Sequence, residues 1–187
     1  AKEAVPWGLY FKDDGSKMFI CGSNSDSVHE YGLSTDWDIS TATFTTTLDV
    51  SGKDTLPAGI FFKPDGTKLY VAGRSSDSVH QYNLTTAWDL STASFGQSFT
   101  DTIRLANIYT VFFKYDGTKM YNINSTTLYE WDLSTDWDIS TATVTHGGWG
   151  YGSFCDQPRG LYIKGDGTKM WVADKTWDHI FGFTLNP

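Results

Sequence analysis

Residues 8–22 read GLYFKDDGSKMFICG, and the phrase returns as GIFFKPDGTKLYVAG at 59–73, TVFFKYDGTKMYNIN at 110–124 and GLYIKGDGTKMWVAD at 160–174. In each copy an apolar, aromatic run leads into Asp-Gly, and a second such run follows. Asp-Gly between two β-rich runs specifies a tight hairpin, because the turn needs positive φ and glycine adopts it without steric cost. The aspartates stand at Asp14, Asp65, Asp116 and Asp166, a spacing of 51, 51 and 50 residues. A further phrase follows each hairpin: SVHEYGL (27–33), SVHQYNL (78–84), TLYEWDL (127–133) and HIFGFTL (179–185). LSTDWDISTAT stands at both 33–43 and 133–143, with LTTAWDLSTAS (84–94) as a near copy.

Each unit therefore reads as four short strands. In the first they are expected at Leu9–Lys12, Lys17–Cys21, Ser27–Leu33 and Ala42–Asp49. No window has the period of an amphipathic helix. The polar stretch before the last strand is expected as a loop with one helical turn capped by Ser34 or Thr35. Four-stranded units repeating about every 50 residues are the pattern of β-propeller blades. Blades bury both faces against their neighbours, so their inner strands read as continuous apolar runs. The expectation is one all-β domain over 1–187: a four-bladed β-propeller of ~51-residue repeats with an incomplete fourth blade. The blades fall at about 6–50, 57–101, 108–150 and 158–187. A linear solenoid would need polar capping units, and the first and last units look like the interior ones.

The Lys-x-Asp-Gly-[Ser/Thr]-Lys-[Met/Leu]-aromatic core resembles the Pro-Asp-Gly-Thr-Lys-Leu-Tyr-Val repeats of bacterial and phage β-propellers, YVTN-type surface proteins and lactonase-like propellers among them. The resemblance covers nearly the whole chain and implies the fold. It leaves function open, since such repeats serve enzymes, adhesins and lectin-like binders.

The fourth unit has no counterpart of Ala42–Asp49, and Ala1–Val5 align with the connection at Lys53–Leu56 instead. Its strand Ile180–Leu185 is expected to be an exposed edge, through which the chain would form a homo-oligomer. Three arrangements are open: a four-bladed ring with an incomplete rim, assembly of two chains into a larger ring or edge to edge, and a piece of a longer array.

The 187 residues include 14 basic and 22 acidic side chains, a formal charge of −8. That excludes a bulk electrostatic grip on nucleic acid or anionic lipid. No apolar run approaches the length of a bilayer span, so no membrane insertion is expected. Two cysteines exclude a disulfide-dense scaffold and a four-cysteine zinc site. There is no initiator Met and no basic-then-apolar leader, so a start after processing or within a longer coding sequence is expected.

In a propeller the hairpin turns share one face, and the connections between blades share the other. The hairpin face repeats lysines and aspartates, expected as solvated turn ends. The opposite face varies. Just before the inner strands stand Trp7, Ala58, Tyr109 and Arg159, and all three arginines (Arg74, Arg104 and Arg159) map to this side. So does HGGWGYGSFCDQPRG (146–160), read as an aromatic-bearing loop. Guanidinium forks suit carboxylates, sulfates and phosphates, and indole or phenol rings stack on sugar faces. The candidate ligand-binding set is Trp7, Arg74, Arg104, Tyr109, Trp149, Tyr151 and Arg159. The competing reading pairs the arginines with Asp77, Asp101 and Asp156 and uses the rings as core caps. The repeated pairs Trp37-Asp38, Trp88-Asp89 and Trp137-Asp138 are either weak multivalent sugar sites or turn-forming wedges.

Catalytic chemistry is weakly represented. His29 and His80 share a repeat position with Tyr129 and Phe181, as packed rings would. Cys155 with His146 and Asp156 forms a nucleophile set only on paper. A Cys21–Cys155 disulfide is conceivable if blades one and four meet. No catalytic residue, metal site or cofactor is assigned. The expected function is a non-catalytic, lectin-like propeller recognising a glycan or acidic surface polymer, extracellular or virion-associated. A structural or protein-interaction module ranks second, and a lactonase- or lyase-type enzyme third.

Overall fold

The computed structural model describes residues 2–150 and 157–185, with only the backbone of 146–150. The first unit forms β1 (Pro6–Phe11), β2 (Lys17–Gly22), β3 (Ser27–Leu33) and β4 (Ala42–Asp49). The second forms β5 (Pro57–Phe62), β6 (Lys68–Gly73), β7 (Ser78–Leu84) and β8 (Ala93–Thr100). The third forms β9 (Thr110–Phe113), β10 (Lys119–Ile123), β11 (Thr127–Leu133) and β12 (Ala142–Gly150). The last has β13 (Pro158–Ile163), β14 (Lys169–Asp174) and β15 (His179–Thr184). Each sheet is an antiparallel meander in chain order, and the fourth holds three strands. These are the blades of a four-bladed β-propeller.

The hairpins form for the reason the sequence suggests. Gly15, Gly66, Gly117 and Gly167 lie at φ between 73° and 77°. The aspartate before each glycine accepts from the backbone N–H and hydroxyl of the residue two further on, as Asp116 does from Thr118 at 3.0 and 2.7 Å. Lys12, Lys63, Lys114 and Lys164 close ion pairs to the same aspartates. These bonds outweigh partial burial and hold the Asp116 carboxyl at about 2.

Two details differ from the sequence reading. The polar stretch does make one helical turn (Ile39–Thr41, Leu90–Thr92 and Ile139–Thr141), but Asp38, Asp89 and Asp138 cap it, not Ser34 or Thr35. The tryptophan before each cap lies at φ 62–65°, which redirects the chain so that the aspartate reaches the serine N–H two residues on. The segment from 146 is strand as far as Gly150, because Trp149 and Gly150 continue the backbone ladder with Leu128 and Thr127.

Three apolar clusters seal three seams. Phe19, Cys21 and Val28 of blade one pack on Ile60, Phe62, Leu69 and Trp88 of blade two. Phe61, Tyr70 and Val79 of blade two pack on Val111, Phe113, Met120 and Trp137 of blade three. Tyr121, Ile123 and Leu128 of blade three pack on Ile163, Met170 and Val172 of blade four. The inner strands pack in the order β1, β5, β9, β13. Among the described residues no comparable cluster joins blade four to blade one. Cys21 is a free, buried thiol, and Cys155 lies outside the described residues.

Candidate ligand-binding site

The mouth of the propeller is built on a repeated backbone irregularity. At the start of β1, Pro6 pairs with Gly22 and Gly8 with Cys21, so Trp7 is the extra residue of a β-bulge. Ala58 and Arg159 occupy the same bulge in β5 and β13. A bulge bends the strand and re-aims the side chain it carries. Each bulge residue stands in a Pro-x-Gly frame, at 6–8, 57–59 and 158–160. The glycine lets inner strands approach: a Cβ on Gly59 would lie 2.8 Å from Thr110 Cα of the next blade. In blade three Tyr109 takes the equivalent place just before β9, its N–H bonded to Ile123 O at 2.8 Å.

Four residues predicted from the sequence converge here. Trp7, Arg74, Tyr109 and Arg159, with Pro6, Ala58 and Lys175, line a depression of about 480 Å³. Cations and rings alternate across it. Arg159 Cζ sits 3.9 Å from the Tyr109 ring centroid, Arg74 Cζ sits 4.8 Å from the same ring, and Arg74 Cζ is 5.3 Å from Trp7. Cation–π contact of this kind holds guanidinium planes in place at little cost in charge.

Among the described residues no ion pair joins a carboxylate to Arg74, Arg159 or Lys175. Arg74 Nε is buried without a hydrogen-bond partner. Among the described residues Arg159 donates to two neutral oxygens, Pro158 O at 2.9 Å and Gln157 Oε1 at 3.1 Å. Lys175 adds a third cation to the lining. Three described acidic side chains of this rim accept backbone N–H bonds. Asp54 accepts from Leu56 and Ser76 N–H, Asp77 from Asn107 N–H, and Asp174 from Gln157 N–H. A protein of charge −8 thus holds a local positive site.

Of the rest of the predicted set, only Arg104 lies within the described side chains, and it is not brought here. Arg104 forms an ion pair with Asp101 at 2.7 Å and is absent from the mouth lining. The competing pairing therefore holds for Arg104, whereas Asp77 does not take Arg74. The Trp149 side chain and Tyr151, together with Cys155 and Asp156, lie outside what is described. Lys175 was missed because the sequence offers no sign that its loop folds over the bulge. The Pro-x-Gly frame is the signal that marks the mouth positions in blades one, two and four.

The repeated Trp-Asp pairs are structural. Each ring lies over the glycine of its own hairpin turn: a Cβ on Gly15, Gly66 or Gly117 would fall within 2.4 Å of Trp37, Trp88 or Trp137. His29 and His80 are buried, each bridging two hydroxyls (Ser25 with Thr47, Ser76 with Ser98). Burial pushes both imidazoles below their ordinary value. Among the described residues no three His, Cys, Asp or Glu side chains converge.

No protein-family model matches the sequence, and no curated protein matches it. Many solved structures share the fold. A candidate 6-phosphogluconolactonase from Bacteroides uniformis superposes with TM-score 0.66 at 16% identity, over 97% of this chain and 50% of that one. The periplasmic gluconolactonase PpgL of Pseudomonas aeruginosa gives 0.63 at 15% identity, over 96% and 49%. The β-propeller domain of Myceliophteria thermophila Cps50 (Swd1) gives 0.62 at 10% identity, over 97% and 54%. The chain spans about half the length of these structures. Its four blades share their fold with lactonase-like β-propellers.

Proposed function

We propose that the chain is a binding propeller whose mouth takes an anionic ligand of saccharide size, an acidic glycan or acidic surface polymer. The observation that carries this reading is the convergence of Arg74, Arg159 and Lys175 in one depression, interleaved with Trp7 and Tyr109. Guanidinium forks would hold the carboxylate or sulfate, and the rings would cover the sugar faces. An extracellular or virion-surface setting belongs to the same proposal. Calorimetric titration with uronate and sulfated oligosaccharides, beside neutral ones, tests it. Binding of the acidic sugars, weakened at least tenfold in Arg74→Ala and Arg159→Ala, is expected. Equal binding of neutral sugars, or no binding by either class, would overturn it.

A second reading is favoured by the fold shared with the gluconolactonases. The same cations would orient a sugar-acid lactone for hydrolysis. Turnover of gluconolactone or its 6-phosphate that falls in Arg74→Ala would replace binding with catalysis at this mouth.

A further inference from the structure

Among the described residues, blades one and four each keep one apolar face outside any seam, and these faces are the two halves of the interface used three times inside the chain. On blade one, Leu9, Trp37 and Ile39 are 58, 58 and 66% exposed, against 6, 8 and 2% for their blade-two counterparts Ile60, Trp88 and Leu90. On blade four, Tyr162 and Ile180 are 59 and 71% exposed, against 4 and 0% for Phe61 and Val79. Apolar faces of this extent on a folded chain mark an interaction site.

Two finer features repeat the same message. Lys17 donates to the Trp88 carbonyl at 2.7 Å, and Lys68 to the Trp137 carbonyl at 3.0 Å, lacing one blade to the next. Their counterpart Lys169 is exposed on blade four, and the Trp37 carbonyl on blade one receives no such bond among the described residues. A Cβ on Gly59 would fall 2.8 Å from Thr110 Cα of the next blade, and one on Gly8 would fall 3.1 Å from the next blade's backbone at Ala58 and Gly59 as well as 2.6 Å from Cys21 Sγ of its own. Gly160 has the same place in blade four, yet a Cβ there would meet only Ala173 of its own blade.

We propose that a second copy of this chain occupies both faces. Blade four of each copy packs on blade one of the other, closing a two-fold ring of eight blades. A head-to-tail contact closes when its rotation divides the circle, and eight blades lie within the range of propeller rings. Two copies also match the length of the solved propellers, of which one chain spans about half. The contact lies on blade faces, not on the β15 edge that the sequence singles out.

The test is the solution mass of the chain by light scattering and sedimentation velocity, in wild type and in two variants. Ile39→Asp and Ile180→Asp change exposed positions and leave the fold intact by near-UV circular dichroism. Wild type is expected at twice the 20.9 kDa chain mass at tens of micromolar. Each variant alone is expected to dissociate at least tenfold more readily. An equimolar mixture should regain association, because one of its two seams then joins two unaltered faces. A monomeric wild type, as blades supplied by further polypeptide would give, overturns the proposal. So does a dimer indifferent to both substitutions, as edge pairing through β15 would be, or a mixture that fails to recover.

Discussion

Gly117 shows how tightly a single turn residue is bound to its surroundings. Its φ of +77° is one that side chains rarely adopt, and a Cβ would fall 2.2 Å from Trp137 Nε1. Trp137 in turn fills the seam between blades two and three. Gly167 has nearly the same φ, but its nearest neighbour is the flexible end of Lys114 at 3.4 Å. Gly167→Ala is therefore expected to cost only the backbone term, about 1 kcal/mol. Gly117→Ala must also displace an indole from a packed core, for about 3 kcal/mol in all. Urea unfolding of the two variants checks the difference, and equal costs would show that the indole yields freely. The Asp-Gly letters are identical in both turns. What separates them is the segment LSTDWD (133–138), whose Trp137 lies over Gly117 and which has no counterpart after Gly167 in the sequence.

At the level of the element, the seams are held by polar laces as well as by rings. Glu30 is fully buried in β3, yet it accepts from Lys17 Nζ at 2.6 Å and from the Leu90 N–H of the next blade at 2.9 Å. Removing it leaves a buried donor and an ammonium without their acceptor, while a neutral amide keeps one acceptor oxygen. Blade two has Gln81 at this position. Glu30→Ala is expected to lower stability by about 2–3 kcal/mol and Glu30→Gln by about half as much. Denaturation midpoints of the two variants decide it, and indistinguishable values would mean that the Leu90 bond contributes nothing. The same lacing explains why repeated lysines after the turns are not merely solvated ends: Lys17, Lys68 and Lys119 each reach a carbonyl or carboxylate. Lys17 and Lys68 reach a carbonyl of the next blade, a partner hidden from the linear sequence, whereas Lys119 pairs with Glu130 and Asp132 of its own blade.

For the molecule as a whole, stability is graded along the arc. Among the described residues, blades two and three are packed on both faces, whereas blade four is packed on one and holds three strands. Units that contact only their neighbours open from the less-supported end. Amides of β14 and β15 are expected to exchange with deuterium well before those of β6 and β7 at low protein concentration. Uniform protection across the four blades would contradict an unsealed end. The Arg74, Tyr109 and Arg159 stack joins blades two, three and four at the mouth, so the ligand site lies across the seams and depends on their order.

The repeated phrase was enough to set the strands, the hairpins, the blade number and the missing outer strand, because these follow from local turn chemistry and from a period that no other architecture satisfies as simply. It also marked Trp7, Arg74, Tyr109 and Arg159 as the variable face. Only the tertiary structure separated Arg104 from that group and added Lys175, since which charges meet depends on where loops from different blades come to rest. It likewise shows that, among the described residues, no apolar cluster joins blade four to blade one. Four near-equal units have the same letters whichever of their faces meet, and which rings and glycines come together at each seam is settled only once the blades are packed.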